Sequence, residues 1–173
     1  MFVVEEVSPL LDRLIGTPFT GIGRALDMAI LAFGRDLSSP DEVNGDYKVS
    51  SEYALHVQCP FRLSRRDSVL LGSEDLRRET TRSSDTEYRV IYDRRSEALD
   101  QILSTRAVLV ETVNVNELGD LCLELSQDLE IRVFPARTYK LEAWRFVIRG
   151  AEHIVFPDGV IMAPPVPDSA AKP

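Results

Sequence analysis

The sequence predicts an α+β fold, a mostly antiparallel β-sheet meander with two short helices. Three observations point there. First, a two-strand cassette occurs at residues 53–75 and again at 139–160, with Pro60-Phe61-Arg62-Leu63 aligned on Ala143-Trp144-Arg145-Phe146. Second, residues 120–126 and 129–134 alternate apolar and polar side chains around a short turn, the pattern of a hairpin with one buried face and one wetter face. Third, most strand signals have a partner close by in sequence, which favours local pairing over crossovers. Whether the cassette marks a true internal duplication stays open.

Taken in order, residues 8–16 read as a short helix. Ser8 suits the cap, Pro9 the first helical position and Gly16 the stop, with Leu10, Leu11, Leu14 and Ile15 on one apolar face. Residues 24–33 satisfy helix propensity, but they also satisfy period two. Leu26, Met28, Ile30 and Ala32 then share one face, and Ala25, Asp27, Ala29, Leu31 and Phe33 the other. A strand is expected, because in the repeat this run takes the place that 121–134 takes later. Residues 35–51 are polar, contain Pro40 and Gly45, and read as a loop. A strand is expected over 53–63, with Pro60 marking an edge or a bulge, and 68–72 pairs with it across a turn at 64–67. Charge, Ser and Thr dominate from about 73 to 94, which predicts a mobile excursion. A helix over 95–104, capped near Asp93 or Ser96, gathers Ala98, Leu99, Ile102 and Leu103 on one face. The β signal then strengthens through 107–113, 120–126 and 129–134 and ends in a pair at 141–149 and 152–157. One domain is expected over 1–162, with the proline-rich stretch 163–173 as a disordered tail.

Lys and Arg total 20 against 28 Asp and Glu, a net charge of −8. That balance argues against nucleic acid and anionic membrane as partners and leaves a basic protein partner open. The basic pairs Arg65-Arg66, Arg77-Arg78 and Arg94-Arg95 are interleaved with acids and form no nucleic-acid stripe. Two cysteines, Cys59 and Cys122, form no CxxC motif and sit in apolar runs, as free thiols in a reduced protein do. With no signal-peptide pattern and no span-length apolar run, a cytoplasmic location is expected.

No catalytic or cofactor motif stands out, and no cofactor is expected. Gly21-Ile22-Gly23 lacks the third glycine and the preceding strand of a dinucleotide fingerprint. His56, Cys59, His153 and an acid such as Asp75 or Glu152 are the best metal-ligating types. On strand spacing, His56 and Cys59 point to opposite faces unless Pro60 introduces a bulge. No serine lies in Gly-x-Ser-x-Gly, and no metal or catalytic residue is assigned. Arg62 and Arg145 each follow a large aromatic within a strand. Such an arginine stitches a sheet by pairing with an acid (Glu142, Glu130 or Asp75) or by stacking on a ring.

Several strings carry a family mark: Arg24 to Gly34, Ala54 to Leu63, Gly72-Ser73-Glu74-Asp75, Gly119-Asp120-Leu121 and Glu142-Ala143-Trp144-Arg145-Phe146. Together they resemble a family of small, functionally uncharacterised bacterial proteins, mostly actinobacterial, over most of residues 10–160. Phe61 stands where relatives often have Trp. More loosely, the chain is similar to small acidic β-rich immunity proteins of bacterial toxin systems. That resemblance implies a toxin-neutralising role but transfers no activity.

The functional expectation is a non-enzymatic protein-binding module, with Arg62, Asp75, Glu124, Glu130, Glu142, Arg145 and His153 as candidate interaction residues. Glu124 and Glu130 lead, as acids on outer strand faces. One alternative is a small hydrolase or ligand-binding enzyme that gathers Asp75, Glu142, Arg145 and His153 in one pocket. Another is a homodimer through sheet edges with a structural role.

Overall fold

Apolar residues at every second position build two antiparallel sheets that share one core. The computed structural model describes residues 1–36, 51–79, 89–149, 151 and 153–161, together with the backbone of 39–40 and 47–48. The chain opens with α1 (Val4–Leu11) and a 3-10 turn (Asp12–Leu14). β1 (Phe19–Ala25), β2 (Met28–Asp36), β3 (Ser39–Pro40), β4 (Tyr47–Lys48), β5 (Ser51–Val57), β6 (Phe61–Arg65) and β7 (Ser68–Gly72) follow. A second 3-10 turn (Ser73–Leu76) and α2 (Ile91–Thr105) lead to β8 (Val110–Val115), β9 (Leu121–Leu125) and β10 (Leu129–Val133). The last elements are β11 (Trp144–Ile148), β12 (His153–Phe156) and β13 (Gly159–Ile161).

One sheet has six strands in the order β1-β2-β5-β11-β12-β13, the other five in the order β7-β6-β10-β9-β8, and β3 pairs with β4. The expected α+β class, the antiparallel pairing and the two helices are present. The meander holds in local runs such as β8-β9-β10. Two pairings, β5 with β11 and β6 with β10, join strands distant in sequence. The chain therefore leaves the six-stranded sheet after β5 and returns to it at β11.

Register fixes which side chains meet. Across the six-stranded sheet the inner rows are Ala29-Val57-Trp144-Phe156 and Leu31-Leu55-Phe146-Ile154. Across the five-stranded sheet they are Phe61-Val133-Leu121-Val115 and Leu63-Ile131-Leu123-Val113. Most of these side chains are buried, and all belong to or pack against a single hydrophobic cluster. Burying a core side chain of this size contributes about 1.5–3 kcal/mol. The Trp144 indole N–H donates to the Gly119 carbonyl at 2.8 Å, a buried bond that ties β11 to the β8–β9 loop of the other sheet.

A helix lies against each edge strand. α1 packs against β13 and β8, one edge strand from each sheet, and α2 packs against β1 and β7, the other two. α2 also satisfies edge backbone groups. The Ile22 N–H donates to the Asp100 carboxylate (2.9 Å), and the Tyr92 hydroxyl donates to the Gly23 carbonyl (2.9 Å). An edge covered in this way no longer offers a free template for another strand.

Several boundaries differ from expectation. The first helix begins at Val4 rather than at Ser8, so Pro9 lies inside it. Val7 and Leu11, one turn apart, are both buried and draw the helix upstream. Gly16 does end this segment, at φ +80°. Residues 24–33 are not one strand. Leu26 and Asp27 form a two-residue turn, Leu26 at φ 56°, and β1 and β2 pair on either side of it. The expected strand 53–63 is also two strands. It breaks at Gln58-Cys59-Pro60, where the chain changes sheets, and the Pro60 carbonyl accepts from the Phe134 N–H. Pro60 thus marks a corner, where its missing N–H costs no ladder bond. The second helix starts at Ile91, with the Asp93 carboxylate accepting the Val90 N–H at 2.9 Å. Its inward stripe is Tyr92, Ser96, Leu99 and Leu103, while Ala98 and Ile102 are exposed. Of the excursion, Ser73–Leu76 forms a turn with Leu76 buried, and Glu79 bridges to Val90. The remainder, 80–88, lies outside the described residues, as do most of the loop expected at 35–51 and the tail at 163–173.

Candidate functional site

The outward positions of the two sheets differ in chemistry. On the five-stranded sheet the outer rows are Arg62-Arg132-Cys122-Asn114 and Ser64-Glu130-Glu124-Thr112. On β7 these rows continue with Gly72 and the exposed Val69, while the members on the other four strands are polar or a thiol, and several of them pair with a neighbour. Arg132 donates to Glu130 at 2.8 Å, Thr112 donates to Glu124 at 2.9 Å, and Arg62 lies over the Phe134 ring at 5.5 Å. The Arg132 bond is the main reason the Glu130 carboxyl sits below the usual range. Burial, and then the Glu130 charge, push the Cys122 thiol up. The expected acids Glu124 and Glu130 are therefore on an outer face, each already engaged by a neighbour.

On the six-stranded sheet the outer rows are Ile30-His56-Arg145-Val155 and Ala32-Ala54-Val147-His153. Val155 is buried and the others are half-buried. The polar members form a cluster. Arg145 grips Glu142 with two bonds, 2.7 and 3.2 Å. His56 stands directly across from Arg145 on β5, and His153 lies diagonally from Arg145 on β12. Burial, then the nearby Arg145 charge, hold the His56 imidazole below its ordinary value, so it is neutral at pH 7. The His153 Nδ1 is buried with no hydrogen-bond partner among the described residues.

Of the seven expected interaction residues, Glu142, Arg145 and His153 come together here, while Arg62, Glu124 and Glu130 share the opposite outer face. Asp75 joins neither group. It sits on the turn after β7, its carboxylate accepting the Gly72 N–H at 2.9 Å. The four-residue pocket expected for an enzyme thus has three members on one face and the fourth on a backbone-capping turn of the other sheet. His56 is the cluster member that sequence reasoning weighed only as a metal ligand. Its partner Cys59 is buried at the corner, where desolvation pushes its thiol up to about 12. Both cysteines are free thiols. Among the described residues no three metal-ligating side chains converge, and no helix is long and apolar enough to cross a membrane.

Searches for similar proteins found no matching family, no matching curated protein and no matching solved structure.

Proposed function

We propose that the protein is a non-enzymatic protein-binding module that docks a partner on the outer face of its six-stranded sheet. The observation that carries this reading is the composition of that face. Met28, Ile30, Ala32, Ala54 and Val147 occupy outward, half-buried positions where a solvated sheet carries polar side chains. These side chains are partly open to solvent on neighbouring strands, and apolar side chains grouped on an outer sheet face are a feature of interaction sites. The Glu142–Arg145 pair and the two imidazoles supply polar groups beside it, as an interface rim does.

The sharper form of the proposal is toxin neutralisation, an immunity-type role in the cytoplasm. It rests on the resemblance and on the net charge of −8, which speeds encounter with a basic partner. A hydrolase reading draws on the same cluster, since Glu142, Arg145 and His153 gather. Its fourth member, Asp75, would have to release Gly72 to take part.

The test immobilises three proteins and exposes each to extract of the native host. They are the wild type, an Ile30→Glu/Val147→Glu variant and a Glu124→Gln/Glu130→Gln variant. The expected result is one partner held by the wild type and by the glutamine variant but lost by the glutamate variant. No partner for the wild type, or a partner that tolerates Ile30→Glu/Val147→Glu, would sink the proposal.

A further inference from the structure

We infer a second site, a binding cleft for a short aliphatic carboxylate, between α2 and the sheets. It lies apart from the proposed docking face and rests on different residues. A cavity of about 50 Å³ lies there, within a cleft of about 400 Å³ that includes space open to solvent. The wall is aliphatic and aromatic: Phe19 and Ile22 of β1, Leu63 of β6, Leu70 of β7, Leu129 of β10, and Leu99 and Leu103 of α2. Only two lining residues are polar, Arg65 and Gln127.

Those two explain the choice of ligand. The Gln127 amide donates to the Ala107 carbonyl at 3.3 Å, and its backbone carbonyl accepts from Arg65 Nε at 3.1 Å. Arg65 is exposed, and its two terminal nitrogens make no bond to the described residues. A guanidinium held by its Nε, with both terminal nitrogens available beside an apolar cleft, matches a carboxylate head on a hydrocarbon tail. Nearby charges do not compete for the position. Asp100 faces the Ile22 N–H, Asp128 pairs with Arg66, and Arg95 reaches the Leu70 carbonyl. Ile102, half exposed on the rim, leaves the entrance lined by apolar surface.

The enclosed space is small, about a third of a cavity that holds benzene, so it takes only the end of a slender chain, and the rest of the chain lies along the open cleft. Solution NMR of the full chain with butyrate, hexanoate and octanoate tests this. Saturable shifts should centre on the amides of Leu99, Leu103 and Gln127. Affinity should rise up to about fourfold for each added methylene until the cleft is full. Hexanamide should bind up to about fivefold more weakly than hexanoate, the range of an exposed ion pair, and Arg65→Gln, an exposed substitution, should abolish that preference. Leu103→Phe should weaken every acid by filling the cleft. Shifts scattered over surface amides, no saturation up to the solubility limit, or equal binding of hexanoate by wild type and Arg65→Gln would each overturn the inference.

Discussion

Phe61-Arg62-Leu63 and Trp144-Arg145-Phe146 are the same pattern placed in different sheets, and comparing them separates what alternation decides from what neighbours decide. In both, the flanking large residues are buried and the arginine points outward. Period two alone accounts for that. The surroundings differ. Phe61 packs edge-on to Tyr92 at 6.4 Å, a purely apolar contact, whereas Trp144 also anchors Gly119 through its indole. Arg62 lies on an aromatic ring beside a ladder of acids, whereas Arg145 holds Glu142 among valines, isoleucine and histidines. The motif sets inside and outside. The strands on either side set what the outside is for.

The largest expected effect breaks the comparison on its inner side. Trp144→Ala and Phe61→Ala should each cost about 3–5 kcal/mol as cavities. Trp144→Ala should cost about 1–3 kcal/mol more, because it also leaves the buried Gly119 carbonyl unpaired. Equal losses in urea denaturation would show that the anchor bond adds nothing. Next comes Gly119→Ala. Gly119 sits at φ +79°, and an added Cβ would come within 2.4 Å of the Phe156 ring. Backbone strain alone costs about 1–2 kcal/mol, and the Phe156 shift raises the total to about 2–5 kcal/mol by the same denaturation measurement.

The two outer faces should titrate in different windows. His56 has a lowered folded value, so the unfolded chain takes up a proton first as pH falls through about 6.5. Stability is therefore lost below that point, and His56→Gln should remove this loss. Glu130 has a lowered folded value as an acid. Its contribution is intact above about pH 4.3 and disappears as pH falls through the folded value, so Glu130→Gln should flatten only the acid limb. Denaturation midpoints from about pH 7.5 down to about pH 3 would separate the windows, and identical profiles for both variants would contradict the assignment. The smallest effect is Glu124→Gln, within about 0.5 kcal/mol, since an exposed acid bonded to Thr112 contributes little to folding.

Much of this was legible in sequence. The hairpin over 121–133 alternates so regularly that both faces could be read, and its pairing appears as expected. The phase of 24–33 was legible too. Ile30 and Ala32 face out and Leu31 and Phe33 face in, even though a turn at Leu26 divides the run. That both faces of this run are apolar was the signal for an unusual outer surface. What sequence could not show is which strands become neighbours. His56 meets Arg145 only because β5 pairs with β11, 89 positions away along the chain. Long-range pairing of this kind depends on the whole fold, and no local pattern encodes it. The corner at Pro60 was hidden for a related reason. A proline reads alike at a bulge, at an edge or at a change of sheet.

The docking claim is tested most directly by placing a photo-crosslinking side chain at Val147 in one protein and at Glu124 in another, each bound to the captured partner. The expected result is a crosslink from Val147 and none from Glu124. A crosslink from Glu124 with none from Val147 would move the partner to the five-stranded sheet and contradict the account.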